Sequence, residues 1–298
     1  MNSSPILKKV VWIINPAGGV GKTLVTQVIE GLAQINGTDV VLASQDRGNQ
    51  AIKHALSDAN IIAANSLPKD AVRIISRVEN RELFLIDVGA NPSSEEYDPL
   101  PFGAALNAEI TARGGNMVVV VPTTPLKIHG NKTAARTARD LLNEGFEVHV
   151  VKNHQNQSGG FDDLDVPIGV QVSELDHLPS GIMALVREHS GSIADLYLSP
   201  EPDYRLAGGH IGQWLLDASQ QPVMQSVFDG NVSGLSIPED RRPRQTMTGL
   251  EKLSHVTDQA LTRNYGKYDA FHKLLNAGSD IEVLAAARAF QRAMAGHK

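Results

Sequence analysis

At 298 residues, with 42% hydrophobic and 20% charged residues, the chain has the composition of an ordinary soluble protein and can bury one large core or two smaller ones. It has no cysteine, which excludes disulfides and thiolate metal sites and suits a reducing cytoplasm. The net charge of −6 is uneven: Arg241 to Lys298 carries 10 Lys/Arg against 5 Asp/Glu, leaving 17 against 28 for the remainder, so a basic tail follows an acidic body.

The first element predicted is a strand over Val10–Asn15. The polar stretch before it, Met1 to Lys9, reads as neither a signal peptide nor a membrane span. The strand runs into Pro16-Ala17-Gly18-Gly19-Val20-Gly21-Lys22-Thr23, and a helix is expected over Thr23–Ile35, stopping near Asn36-Gly37. Strand, glycine-rich loop, Lys-Thr and helix in that order are the setting of a phosphate-binding loop. Glycines let successive backbone N–H groups turn inward around phosphate oxygens. The lysine adds a point charge, the threonine hydroxyl is a Mg²⁺ ligand, and the helix directs its positive end at the anion. The expected nucleotide contacts are Gly18, Gly19, Val20, Gly21, Lys22, Thr23 and Leu24. The common pattern G-x-x-x-x-G-K-[ST] would put glycine at position 16, where this chain has Pro16.

A second strand is predicted over Val40–Ser44, followed by Gln45-Asp46-Arg47. A carboxylate at this position faces the terminal phosphate and can orient water, so Asp46 is a catalytic candidate; the alternative is an Asx turn or helix cap. After a helix at Asp70–Glu79, the apolar run Leu83–Val88 reads as a buried strand. Asp87 near its end is expected to hold Mg²⁺, usually through water, and to join Lys22 and Asp46 in the catalytic set. Thr23 and Asp87 are the metal-associated pair. A helix over Phe102–Arg113, a strand over Met117–Val121, a helix over Asn131–Asn143 and a strand over Glu147–Asn153 follow. Strand ends on one edge of an open α/β sheet line the ligand crevice, so the Asn153 amide is placed either on an adenine edge or in a turn. A last strand is predicted over Pro167–Val172, then helices over Gly181–His189 and Leu206–Ser219. Strand–helix alternation predicts an α/β fold: a mainly parallel sheet flanked by helices.

The alternation stops after residue 220. Residues 221–248, with Pro222, Gly230, Gly234, Pro238 and Pro243, read as a loop-rich connector, and residues 249–298 as a helical C-terminal extension. In its last helix Val283, Ala287, Phe290 and Met294 share one face, which reads as a packing helix rather than one lying on a membrane. The basic tail is either a solvated surface packed on its own acidic domain or a surface for DNA, anionic lipid or an acidic partner.

Over residues 9–220 these motifs resemble the ParA/MinD family of P-loop ATPases, whose deviant loop is written K-G-G-x-G-K-[ST]. The matching residues are Ala17-Gly18-Gly19-Val20-Gly21-Lys22-Thr23, Ser44-Gln45-Asp46, the strand carrying Asp87, the segment Val119–Pro125, and Asp165-Val166-Pro167-Ile168-Gly169 as the entry to a late strand. The resemblance implies ATP or ADP with Mg²⁺, a nucleotide-dependent homodimer, and work in plasmid or DNA partition, conjugative maintenance or intracellular positioning. It also implies a lysine at position 17 that reaches the phosphates of the other subunit; here that residue is Ala17. The chain then turns over slowly as a switch, or another cation such as Arg47 substitutes, or it binds nucleotide with little turnover. Because Lys22, Thr23, Asp46 and Asp87 all remain, the favoured reading is a slow cytoplasmic ATPase, with DNA or a DNA-bound adaptor as a tail partner and no membrane contact. The alternatives are an ATP-dependent ligase or kinase like dethiobiotin synthetase, and a non-hydrolysing nucleotide-sensing adaptor.

Overall fold

The structure, a computed structural model, describes residues 7–45, 60–61, 67–89, 98–127, 129–155, 160–189, 191–199, 202–230, 232 and 235. Seven strands form one sheet: β1 (Lys9–Ile13), β2 (Val40–Gln45), β3 (Asn60–Ile61), β4 (Leu83–Val88), β5 (Asn116–Thr123), β6 (Glu147–Asn153) and β7 (Gln171–Leu175). Their spatial order is β3-β2-β4-β1-β5-β6-β7, and every neighbouring pair is parallel.

Alternation along the strands divides the core in two. Val11, Ile13, Leu83, Leu85, Val118 and Val120 face one side, and Val10, Trp12, Phe84, Ile86, Val119 and Val121 the other. Both sides are covered, which is why these strands read as continuous apolar runs. The first side is covered by α1 (Lys22–Asn36), α5 (Ser180–Glu188), α6 (Ile193–Leu198), α7 (Pro202–Ser219) and α8 (Pro222–Val227). The second is covered by α2 (Ala71–Val78), α3 (Leu100–Ala112) and α4 (Gly130–Asn143). Helix α1 ends at Gly37 in the left-handed region, whose N–H bonds the Ala33 and Gln34 carbonyls.

Beyond the short unpredicted strand β3 and shifts of a few residues at element ends, the structure departs from the sequence reading at three places. The last strand is Gln171–Leu175, not Pro167–Val172: Pro167 begins a turn closed by Val170 N–H on its carbonyl, with Gly169 at φ +97° and Ile168 fully exposed. Helix α6 was not expected, although Ser192 and Asp195 form a capping box at its start. Within the stretch read as connector, Pro222–Val227 forms α8, and Val223, Met224, Val227 and Phe228 enter the first core. Just beyond it, Asp229 and the Ser226 carbonyl both bind the buried Lys9 ammonium at 2.6 Å, tying α8 to the foot of β1. The proposed helices beyond residue 249 lie outside the described residues. Among those described, no helix is long and apolar enough to cross a membrane.

Helix α3 approaches the sheet closely because residue 103 has no side chain. A Cβ on Gly103 would lie 2.4 Å from Cζ3 of Trp12, whose indole is fully buried. Gly103→Ala is expected to destabilise the fold by about 1–3 kcal/mol through overpacking. Thermal unfolding measures it; an unchanged Tm would mean that Trp12 turns aside without strain.

Candidate functional site

Sheet order places the loop. Strand β1 lies between β4 and β5, so the segment leaving its carboxyl end emerges between theirs. Ile13 is in register with Asp87 on one side and Val120 on the other. Asn15, fully buried, anchors the turn: its amide donates to the Pro122 carbonyl at 2.7 Å, and its Oδ1 accepts from Ala17 N–H at 2.8 Å. Gly19 (φ +70°) and Gly21 (φ +96°) occupy the left-handed region, and Gly21 caps α1.

Two side chains at the end of β6 orient the loop's peptides. Gln155 Nε2 donates to the Gly19 carbonyl and Asn153 Nδ2 to the Val20 carbonyl, each at 3.2 Å. In a planar trans peptide the next N–H points the opposite way. The N–H groups of Val20 and Gly21 are thereby turned away from β6. Among the described residues no acceptor meets the N–H of Gly18, Gly19 or Gly21, and that of Val20 closes only a weak turn on the Ala17 carbonyl. Such a set of free donors at a helix N-terminus is an anion cradle.

Lys22 is buried, with its ammonium on the Asn15 carbonyl at 2.8 Å and the Ala17 carbonyl at 3.0 Å. A phosphate oxygen is a stronger partner for a buried cation than either carbonyl. Thr23 Oγ1 donates to Asp87 Oδ2 at 2.9 Å, so the two residues read as a metal pair are in contact. Both are hard oxygen donors, the class that suits Mg²⁺. Leu24 packs its partly buried side chain against the first core.

Asn153 does not stand open at the crevice. It is 1% exposed, and its Nδ2 would lie 1.9 Å from a Cβ on Gly21. In this structure it braces the phosphate loop. Its strand end is held firm: Lys152 and His154 reach Glu174 on β7 at 3.1 and 3.3 Å, and both pack against Phe161. Burial pushes the Glu174 carboxyl up, but the hydrogen bond and charge of Lys152, with His154, outweigh it and hold the group below its ordinary value.

Ser44 of β2 is in register with Asp87, so the second strand ends beside the Thr23–Asp87 contact. Asp46, the catalytic candidate, and Arg47, the possible substitute cation, lie outside the described residues. Sequence reasoning missed Asn15, Gln155 and Lys127. An asparagine at the end of the predicted strand, just before the loop, was a usable signal for the first. The other two reach the loop only through the order of β5 and β6.

No protein-family model matches the chain, and no curated protein matches it. The architecture is an all-parallel α/β sheet flanked by helices. The chain is similar to solved structures at low identity. The MinC:MinD cell division protein complex of Aquifex aeolicus is 13% identical over 71% of this chain and 94% of that one, with a TM-score of 0.49. The septum site-determining protein MinD of Pyrococcus horikoshii OT3, complexed with Mg-ADP, is 15% identical over 72% and 95%, with a TM-score of 0.46. Chloroplast FtsY from Physcomitrella patens is 14% identical over 59% and 63%, with a TM-score of 0.41.

Proposed function

We propose that this chain is a ParA/MinD-like ATP-binding protein: a slow ATPase whose nucleotide state acts as a switch in DNA partition, conjugative maintenance or intracellular positioning. The observation that carries the reading is the loop itself. Free glycine N–H donors, a buried lysine and a Thr23–Asp87 contact converge at one strand end. In this reading Gly18 to Gly21 hold phosphate oxygens through their N–H groups, and Lys22 exchanges loop carbonyls for phosphate. Thr23 and Asp87 would hold Mg²⁺, which would supply neutralisation of phosphate charge. Asp46, from the segment after β2, orients water.

Ala17 sets the rate expectation. A cation delivered to developing phosphate charge is worth about 10³–10⁵ in rate, and position 17 supplies none. The terminal phosphate then serves as a state to be read by a partner, through a homodimer and through the basic tail, rather than as fuel for rapid cycling.

The test is phosphate release and molecular size with ATP, ADP and no nucleotide, each with and without duplex DNA. The expected result is slow release and a larger species with ATP, with DNA affinity that falls steeply with salt. Tight ATP binding without phosphate release would favour the nucleotide-sensing adaptor. Release that requires a small-molecule acceptor would favour the ligase or kinase. No nucleotide binding at all would overturn the loop assignment.

A further inference from the structure

A second lysine lies on the phosphate loop, and it comes from elsewhere in the chain. Lys127 sits in the turn between β5 and α4, in the sequence Pro125-Leu126-Lys127. Its side chain crosses Gly19: a Cβ at that glycine would lie 2.5 Å from Lys127 Cε and 3.0 Å from Nζ. The missing side chain at Gly19 is the space that the lysine occupies.

The base of Lys127 is fixed while its tip is exposed. Its N–H donates to the Thr124 carbonyl at 3.4 Å, and its own carbonyl accepts from Gly130 N–H at 2.9 Å. Behind that turn, Thr123 Oγ1 donates to the buried Asn131 at 3.1 Å. A Cβ on Gly130 would crowd the Thr124 carbonyl at 2.9 Å and Lys127 Cβ at 3.3 Å, so a second glycine leaves room for the same lysine. Among the described residues no carboxylate pairs with it. A strongly hydrated ammonium laid over Gly19, with no carboxylate on it among the described residues, has an evident anionic partner in what the loop binds.

The two lysines divide the loop. Lys22 is buried at the helix end, whereas Lys127 lies over the exposed first half, where Gly18 and Gly19 face solvent and Ala17 brings no charge. We propose that Lys127 is a phosphate-contacting residue acting in cis: its ammonium binds the terminal phosphate of a nucleoside triphosphate held by the loop. Its role is to hold the terminal phosphate in the bound state, the state that the proposed switch presents to a partner. This rests on the nucleotide-binding reading above.

The experiment compares Lys127→Met and Lys127→Arg with the parent and with Lys22→Ala, titrating each with fluorescent ATP and ADP analogues and measuring kcat and KM for ATP. Methionine keeps the aliphatic stem over Gly19 and removes only the charge. Lys127→Met is expected to weaken ATP binding about tenfold and ADP binding by less than about threefold, the scale of one charge-assisted hydrogen bond. Lys127→Arg is expected to keep the parent's preference for ATP. An ATP-to-ADP affinity ratio unchanged by Lys127→Met overturns the assignment while leaving the loop reading intact. A parent that binds neither nucleotide overturns both.

Discussion

Lys22→Ala is expected to weaken ATP binding by about 10²-fold or more, roughly 3 kcal/mol, the cost of losing a charged donor from a phosphate site. The structure sharpens the expectation, because the Lys22 ammonium already lies within the loop's concavity on the Asn15 and Ala17 carbonyls. Two effects therefore combine in the variant. The phosphates lose a point charge, and the two carbonyls lose the group that draws the loop's ends together. Adding Lys22→Met separates them, since it restores packing volume without charge. A titration with fluorescent ATP, checked by the near-UV circular dichroism of each variant, reads the result. Binding within about threefold of the parent in a folded variant would show that the loop is not the nucleotide site.

Asp87→Asn is expected to leave the fold intact and to lower Mg²⁺-dependent turnover by about 10–100-fold, the usual cost of losing a carboxylate that supports a metal site. An asparagine oxygen still accepts from Thr23 Oγ1, so the 2.9 Å contact between α1 and β4 survives. What is lost is the negative charge beside the position for the cation. The Mg²⁺ concentration for half-maximal turnover should rise accordingly, while binding of metal-free ADP should change little. Asp87 is 6% exposed and lies in the middle of the sheet, so stability must be measured in parallel. An unchanged Mg²⁺ dependence would remove Asp87 from the metal pair.

Local pattern made much of this molecule legible. The strand at Leu83–Val88 has the boundaries expected from its apolar run, because a strand buried on both faces leaves a nearly continuous signal, and that at Glu147–Asn153 has those expected around its valines. The loop from Asn15 to Thr23 was legible for a related reason: glycine conformations, lysine and threonine lie within nine residues of one another. Where a proline preceded the last strand, composition misled. Val166 to Val170 is apolar, but Pro167 cannot donate to a ladder, and the strand begins only after the turn it makes. Pro222 misled in the other direction. It suggested a connector, yet proline suits the first turn of a helix, and Val223, Met224 and Val227 give that helix a face to bury.

The candidate site was less legible wherever it depends on long-range order. Asn153 is 133 residues from the Val20 carbonyl it holds, and Gln155 is 136 from that of Gly19. Lys127 reaches Gly19 because β5 is the neighbour of β1, a fact of strand order and not of spacing. Asn153 illustrates the difference. Its place at a strand end was visible, but the loop carbonyl that its amide holds was set by which strand lies beside which.

The braces on the phosphate loop have a thermodynamic consequence. Asn15, Asn153, Gln155 and Lys22 fix the peptides of Ala17, Gly19 and Val20 before any anion arrives. Ordering a backbone residue costs about 1–2 kcal/mol of conformational entropy. For these residues that cost falls on folding, where the whole sheet contributes to meeting it, and not on ligand binding. A phosphate entering the loop therefore meets donors already in place, and its affinity is set by charge and hydrogen bonding with little loss of chain freedom.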